Sequence, residues 1–195
     1  MCVFCGSADG KFSEYRAEAE SLGQLAGRND ITGIWGAGMK GLMGAFARGC
    51  LDAGGKMIGV TTPAIQAIEL PLPESDHMVV IAEKDMPDRK RTMIEGADAI
   101  IILPGGIGTL DESAEALTLD QLRMITGKPI IFINVLGFYD HLFAFFNRVD
   151  GDGFLRFPIH YQVFDDSHSA MRSLMGQLLW ETPRVTQSNV VPIRA

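Results

Sequence analysis

The 195-residue sequence has three cysteines, four histidines, no excess of positive charge and no long apolar run. An odd number of cysteines argues against a disulfide framework. No apolar stretch approaches the ~20 residues that a membrane helix needs, and the first residues lack the basic segment of a signal peptide. With 17 basic against 24 acidic side chains, the net charge of −7 repels nucleic acid and anionic membranes. We therefore expect a cytoplasmic protein without nucleic-acid or membrane partners.

The composition is that of a packed globule, since 47% of the residues are apolar and 21% are charged. The length predicts one domain with a sizeable core. We assign residues 1–181 to that domain and residues 182–195 to a C-terminal tail. The tail has two prolines and little periodicity, so it is either disordered or an arm lying on a neighbouring subunit.

Cys2 and Cys5 form a C-x-x-C pair, a spacing found in redox and zinc sites. They lie in an apolar run that reads as a strand, where positions three apart point to opposite faces. Cys50 falls in a helical pattern and is interpreted as a small core residue. Because the histidines show no ligand spacing, we expect no structural metal.

Short apolar runs rich in β-forming residues alternate with longer segments of helical periodicity along the chain. The runs at 100–103 and 130–133 are apolar at every position, which is typical of parallel strands covered by helices on both faces. The pattern predicts a single doubly wound, Rossmann-like α/β sheet. Ligands of such folds bind beyond the carboxyl ends of the strands, where this chain carries glycine-rich loops.

The first glycine-rich loop, residues 36–41, has G-x-G-x-x-G spacing, follows an apolar run and opens a helix. A dinucleotide site of this type also needs an acidic residue at the end of the next strand, but the first carboxylate after that strand is Glu69. We keep the narrower interpretation that these glycines let backbone N–H groups approach an anion. Residues 62–76, with three prolines, are either a flap over the site or a surface excursion.

The second glycine-rich loop, residues 104–109, reads P-G-G-I-G-T and follows the most apolar strand. Three glycines in four positions and a helix N-terminus favour a phosphate cradle over a plain tight turn, for which one glycine usually suffices. Glu112 has a structural alternative, because Thr109 and Glu112 have the T-x-x-E spacing of a capping box.

Two predicted helices carry charged residues among apolar ones. In the helix predicted over 86–96, Arg89 and Lys90 fall within the apolar stripe and need an anionic partner, either a structural carboxylate or a bound phosphate. The helix predicted over 109–126 has two partly apolar faces, of which we expect one to pack on the sheet and the other on a helix or subunit. One face carries Leu110, Ala114, Leu117, Gln121 and Met124, and the opposite face carries Glu112, Glu115, Leu119 and Leu122.

Two stretches together resemble the signature of the Lonely Guy family: M-P-D-R-K over residues 86–90 and P-G-G-I-G-T-L-D-E over residues 104–112. The resemblance extends over residues 2–180 and includes F-C-G-S at 4–7, G-L-M-G at 41–44 and G-K-P at 127–129. The chain departs from the family's three consecutive glycines, since it has Gly36-Ala37-Gly38 followed by Met39-Lys40, and it has Ala8-Asp9 after Ser7.

Members of this family are cytokinin riboside 5′-monophosphate phosphoribohydrolases, often mislabelled lysine decarboxylases. The resemblance implies hydrolysis of a purine nucleoside 5′-monophosphate to free base and ribose 5-phosphate, without a metal or redox cofactor. It implies that Arg89 and Glu112 are catalytic and that a homodimer forms its sites near the subunit boundary. The implied substrate-binding residues are Ser7, Gly38, Met86, Lys90, Gly105, Gly106, Gly108, Thr109 and Glu115.

Two other functions agree less well with these residues. A decarboxylase dependent on pyridoxal phosphate needs a Schiff-base lysine and an acidic partner for the ring nitrogen, and none of the six lysines stands in such a setting. A non-catalytic carrier resembling the molybdenum cofactor carrier proteins would need the cradle, but not a carboxylate at a scissile bond. Arg89 together with Glu112 therefore favours the enzyme.

Overall fold

The computed structural model describes residues 1–71 and 73–179. The strands in this part are β1 (Cys2–Phe4), β2 (Gly33–Trp35), β3 (Met57–Thr61), β4 (Met78–Ala82), β5 (Ile100–Ile102), β6 (Ile130–Ile133) and β7 (Gln162–Phe164). The helices are α1 (Ser13–Arg28), α2 (Gly41–Asp52), α3 (Pro63–Gln66), α4 (Met86–Glu95), α5 (Ile107–Gln121), α6 (Asp140–Gly151) and α7 (Ser167–Leu179). The strands pair in parallel in the order β4-β3-β2-β1-β5-β6-β7. The predicted doubly wound α/β fold is confirmed.

Two hydrophobic layers enclose the sheet, because successive residues of each strand point to opposite faces. Helices α1, α2 and α7 pack on the face that carries Ile101, and helices α4, α5 and α6 pack on the face that carries Ile100 and Ile102. Cys2 and Cys5 lie in opposite layers, as predicted from their spacing. Both faces are therefore apolar, which explains why the central strands show no alternation.

In a doubly wound sheet, a ligand site is expected where the strand order reverses. β1 is flanked by β2 on one side and by β5 on the other, so the connections on its two sides run in opposite directions. The loops after β1 and β5 meet at the carboxyl edge, where the N–H of Gly6 donates to the carbonyl of Pro104 at 3.0 Å. The second glycine-rich loop is thereby placed at the switch point of the sheet.

Helices α1 and α2 approach each other backbone to backbone. A Cβ on Gly23 of α1 would collide with the carbonyl oxygen of Phe46, and a Cβ on Gly49 of α2 would collide with the carbonyl oxygen of Glu20. Since both obstacles are main-chain atoms of the facing helix, no side-chain rotation can relieve the overlap. Glycine at these positions sets the distance between the two helices.

The structure corrects the predicted limits and faces of α5. Gly106 is the N-cap and Gln121 the last residue, so Thr109 lies inside the first turn and the predicted capping box with Glu112 is wrong. The predicted faces are also partly wrong, because Glu112 is buried while Leu110 and Met124 are exposed. Leu119 is half-buried against the core. Because the two faces of α5 are similarly apolar, hydrophobicity alone does not determine which of them packs inward. In the structure Glu112 lies inward, where it contacts Arg89 of α4.

The connection between β3 and β4 begins with the short helix α3, which the sequence did not indicate. The Thr62 hydroxyl accepts from the N–H of Ile65 at 3.2 Å and caps this helix, with Pro63 in its first turn. The tail predicted for residues 182–195 lies outside the described residues. Across 1–71 and 73–179, no helix combines the length and apolarity needed to cross a membrane.

We expect Gly23→Ala to lower the free energy of unfolding by about 1–3 kcal/mol, the usual cost of overpacking. Gly176→Ala is the matched control, because a Cβ at this exposed α7 position meets nothing within 4 Å among the described residues. The control should gain about 0.5–1 kcal/mol from helix propensity. Urea denaturation of both variants measures the difference, and equal stabilities would contradict the close approach of α1 and α2.

Candidate active site

A buried ion pair joins α4 to α5 at the carboxyl edge of the sheet. The Arg89 Nη1 lies 2.8 Å from Oε1 of Glu112, and the two side chains are 6% and 11% exposed. The Nε of Arg89 donates to the carbonyl oxygen of Val60 in β3 at 2.8 Å. The sequence predicted an anionic partner for Arg89, and within the described residues that partner is the carboxylate of Glu112.

Capping at both ends holds α4 and therefore Arg89 in place. At its start, the Asp85 carboxylate accepts from the N–H of Asp88 at 3.0 Å. At its end, the Lys128 ammonium donates to the carbonyl oxygens of Ile94 and Glu95, at 2.8 and 2.9 Å. A cation at a helix C-terminus also interacts favourably with the helix dipole. The G-K-P stretch at 127–129 thus has a structural role in supporting the site.

A second set of charges lies beside the buried pair. Lys90, on the same helix as Arg89, contacts Asp111 at 2.9 Å and Glu115 at 2.5 Å, and its side chain is 13% exposed. Burial lowers the pKa of Lys90, but the hydrogen bonds that its ammonium donates to Glu115 and Asp111 outweigh this effect and raise the pKa above its ordinary value. Two cations on α4 therefore face three carboxylates on α5.

The environment of Glu112 disfavours its charged form. Burial raises the pKa of Glu112 above its usual range, although the Arg89 guanidinium acts in the opposite direction. The neighbouring thiols of Cys2 and Cys5 also have raised pKa values, because of their burial and then the charge of Glu112. A carboxylate held in such surroundings is a candidate for chemistry rather than for surface solubility.

The loop before α5 presents backbone rather than side chains. A Cβ on Gly105 would collide with the side chain of Thr109, whereas Gly106 and Gly108 face open space within the described residues. The first N–H groups of α5 lack helical partners and point toward this open side with the positive end of the helix dipole. Glu112 lies six residues beyond Gly106, about 9 Å along the helix axis.

The other predicted site residues lie around this cluster. Ser7 follows β1 and its backbone abuts Gly41 at the start of α2, since a Cβ on Gly41 would collide with it. Met86 is the first residue of α4 and is 40% exposed. The carbonyl oxygen of Gly38 accepts from the indole of buried Trp35 at 3.2 Å.

Sequence reasoning missed three contributors to the site. Gly36, rather than Gly38, is the glycine that lies against Arg89, because a Cβ there would collide with the guanidinium. The carbonyl of Val60 and the carboxylate of Asp111 were also not anticipated. Asp111 could have been found from its place beside Glu112 in the signature, but a main-chain carbonyl such as that of Val60 leaves no signal in the sequence.

Comparisons with known proteins agree with this geometry. A family model described as "Possible lysine decarboxylase" matches residues 43–173. Cytokinin riboside 5′-monophosphate phosphoribohydrolase LOG4 of Arabidopsis thaliana is 38% identical over 201 residues, covering 97% of this chain and 92% of the relative. The relative named LOG in Oryza sativa subsp. japonica is 38% identical over 158 residues, covering 80% of this chain. This chain spans 63% of the length of that rice relative.

Solved structures with the same fold include carrier proteins. The molybdenum cofactor carrier protein of Chlamydomonas reinhardtii has a TM-score of 0.68 and 21% identity, covering 92% of this chain and 97% of that chain. The molybdenum cofactor binding protein of Rippkaea orientalis has a TM-score of 0.67 and 21% identity, covering 91% and 96%. At this level of identity the likeness shows the fold alone.

The family follows from the longer sequence matches. The identity to LOG4 extends over nearly the whole of both chains. Arg89 and Glu112, which belong to the signature found in the sequence, meet at the buried ion pair. The resemblance seen in the sequence is thereby confirmed. The chain belongs to the LOG family, whose named members are cytokinin riboside 5′-monophosphate phosphoribohydrolases.

Proposed function

We propose that this protein hydrolyses the N-glycosidic bond of a purine nucleoside 5′-monophosphate, AMP or a cytokinin-type derivative, to free base and ribose 5-phosphate. The observation that carries the proposal is the buried Arg89–Glu112 pair, because Glu112 lies on the helix whose N-terminus forms the glycine cradle. The names of the relatives describe the same reaction.

The cradle would bind the 5′-phosphate. Backbone N–H groups at the start of α5 donate to phosphate oxygens, and Gly106 and Gly108 allow close approach. Lys90 offsets part of the negative charge of Asp111 and Glu115 on this helix. Binding a group that does not react fixes the ribose against Glu112, so part of the binding energy serves orientation at the reacting carbon.

Glu112 would stabilise the transition state. The bond from the anomeric carbon to the base nitrogen breaks, its electron pair leaves with the base, and the ribose acquires oxocarbenium character. A water oxygen forms the new bond to that carbon, and the proton that the water loses balances the proton that the base gains. A buried carboxylate is worth more against the developing positive charge than one in water. Arg89 orients Glu112 and favours its ionised form.

A non-catalytic carrier of nucleotide or cofactor is the second candidate, favoured by the fold of the molybdenum cofactor carriers. A carrier needs a cradle for its ligand, and this chain has one. It has no use for a carboxylate that is buried at the cost of desolvation and held by an equally buried arginine. The ion pair therefore supports the hydrolase.

We expect kcat/KM for AMP to exceed that for adenosine by at least about tenfold, since charge-assisted hydrogen bonds to the phosphate are lost with the nucleoside. Chromatography of released adenine measures both reactions, and an N6-prenylated AMP extends the panel to the cytokinin class. Comparable efficiency on adenosine would contradict the cradle. Binding of nucleotides without release of any base would instead favour the carrier.

Glu112→Gln should lower kcat by at least about 100-fold, because it removes the charge that opposes the oxocarbenium while keeping an acceptor for Arg89. Circular dichroism checks that the variant is folded. Asp120→Asn is the matched control on the same helix, where Asp120 pairs with His160 at 3.0 Å away from the ion pair. Undiminished turnover in Glu112→Gln would return Glu112 to a purely structural role.

We also propose a homodimer whose interface borders the active site. The outward face of α5 and the turn after it expose Ile107 at 81%, Leu122 at 55% and Met124 at 68%. Exposed apolar side chains at both ends of this helix favour a partner surface over water. Ile107 is the first residue of α5, next to the cradle, so a second subunit that covers it would lie close to the nucleotide.

Leu122→Asp should weaken this association and lower activity, because it places a charge in an apolar contact. Val79→Asp is the control, since Val79 is also half exposed but lies on the edge strand β4 at the far side of the sheet. Light scattering gives the masses of both variants and of the wild type. A wild-type protein that is monomeric and fully active would rule out the dimer.

A cytoplasmic location is proposed on the state of the cysteines. Cys2, Cys5 and Cys50 are buried and unpaired within the described residues. Unpaired thiols are typical of proteins in reducing compartments.

A further inference from the structure

Glu69 reaches from the β3–β4 connection to the loop that follows β2. Its Oε1 accepts hydrogen bonds from the backbone N–H groups of Met39 and Lys40, at 3.0 and 3.2 Å. These groups immediately precede the first turn of α2, whose N-cap is Lys40. Because a lysine side chain cannot accept a hydrogen bond, Glu69 supplies the anionic cap that the local sequence of α2 does not provide.

The loop over residues 36–40 does not hold its shape by backbone preference alone. Ala37 has φ of +64°, in the left-handed region that disfavours any residue with a Cβ. The loop is held from outside by three side chains: Trp35 donates to Gly38, Arg48 donates to the carbonyl of Met39 at 2.9 Å, and Glu69 accepts as described. We call the two hydrogen bonds that Glu69 accepts from this loop the clamp, and Glu69 is the acidic residue among the three that hold the loop.

The position of Glu69 is itself fixed by the turn that follows α3. The N–H of Glu69 donates to the carbonyl oxygen of Ile65 at 2.9 Å, and Ile65 is in turn held by the Thr62 hydroxyl. Thr62 is buried at the end of β3, two residues after the Val60 carbonyl that accepts from Arg89. A short, hydrogen-bonded path therefore leads from the strand that holds Arg89 to the Glu69 carboxylate.

The clamped loop closes on Arg89 from the other side. Gly36 lies so near the guanidinium that a Cβ there would collide with Nη2. Arg89 is thus confined between the loop at Gly36, the Val60 carbonyl and the Glu112 carboxylate. Movement of the loop would remove one of the three surfaces that define where the guanidinium lies.

We propose that Glu69 is a positioning residue for the reaction proposed above: by clamping residues 36–40 it keeps Arg89 aligned with Glu112. The inference rests on that proposed function. Glu69 acts through the loop and has no contact with the reacting atoms in this assignment. This proposal assigns a role in the active site to Glu69, which is the first carboxylate in the sequence after β3.

Loss of the clamp has a consequence for the titration of Glu112. The charged and titratable groups that act on Glu112 are Arg89 and Lys90 from α4, Asp111 from α5, and the thiols of Cys2 and Cys5. Arg89 lowers the pKa of Glu112, so a less constrained guanidinium lets that pKa rise. Since the reaction uses ionised Glu112, the acidic limb of kcat/KM should move to higher pH when the clamp is removed.

The test compares Glu69→Ala, Glu69→Gln and the control Glu74→Ala, all with AMP or the best nucleotide of the panel. Gln keeps an oxygen that accepts from the two N–H groups, so it should restore most of the function. Glu74 lies on the same connection, but its carboxylate accepts from the N–H of Val80 on β4 at 2.9 Å. Hydrogen exchange of the amides over residues 36–43 reports the clamp independently of activity.

We expect Glu69→Ala to speed exchange of these amides and to lower kcat/KM, each by about tenfold, and to shift the acidic limb upward. Glu69→Gln should stay within about threefold of the wild type, and Glu74→Ala should leave all three measurements unchanged. A general loss of folded enzyme would lower kcat in Glu69→Ala without moving the pH profile, and this result would overturn the positioning role. Unaltered exchange would overturn the clamp itself, and a Gln variant as impaired as the Ala variant would overturn the role of its hydrogen bonds.

The two proposals fail in different ways. If the wild type releases no base from any nucleotide, the proposed function is wrong and this inference falls with it. If the wild type is active and Glu69→Ala has the same kcat/KM and the same acidic limb, the inference alone is wrong.

Discussion

The ion pair between Arg89 and Glu112 is the constraint on which the arrangement of the site depends. Removing both charges from water costs several kcal/mol per ion unless each finds close partners. The fold meets this requirement by pairing the two ions with each other at 2.8 Å and by the carbonyl of Val60, which accepts from Arg89. The pair joins two helices that pack on the same face of the sheet. The relative position of α4 and α5 is therefore fixed both by this ion pair and by their hydrophobic packing. A buried pair of this kind adds little net stability, so it is weak evidence for a purely structural role.

The start of α5 carries positive potential, although the chain as a whole is negatively charged. The protein is acidic overall, yet its proposed ligand is an anion. The positive end of α5 makes the start of this helix attractive to phosphate, while the ammonium of Lys90 offsets part of the negative charge of Asp111 and Glu115 further along it. The same helix therefore offers an anion site at its start and a carboxylate one and a half turns later. Attraction for the phosphate and stabilisation of positive charge are separated along a single helix.

Much of the fold could be predicted from sequence because parallel strands covered on both faces have an unmistakable pattern. The runs around Ile100 and Ile130 predicted two of the parallel strands, and the glycine loop between strand and helix marked the edge of the sheet where a site is expected. Arg89 was correctly expected to need an anionic partner, since a cation among apolar residues cannot remain unpaired. The orientation of α5 was not predictable in the same way, because its two faces are similarly apolar and an interaction with another helix decides between them.

The features that the sequence did not predict depend on contacts between residues that are far apart in the chain. The spacing of Thr109 and Glu112 fits a capping box, but the pair with Arg89 is stronger than a local hydrogen bond and the helix begins one residue after Gly106. The link between Glu69 and the loop at Met39 spans 30 residues and has no local signature. Likewise Gly23 and Gly49 gave no sign that they meet backbone atoms of the opposite helix. Such contacts depend on the final geometry of the sheet and appear only when it is known.

The reactivity of the buried cysteines depends on whether the structure around them is closed. Burial raises the pKa of the Cys50 thiol to about 11, and it raises the pKa values of Cys2 and Cys5 as well, so the reactive thiolate is scarce in the native state. Oxidants and alkylating reagents therefore meet an inert surface as long as β1 and α2 stay closed. Labelling of Cys2, which lies in β1, or of Cys5, which directly follows it, would mark a molecule in which the centre of the sheet has opened, and the two thiols report on opposite layers.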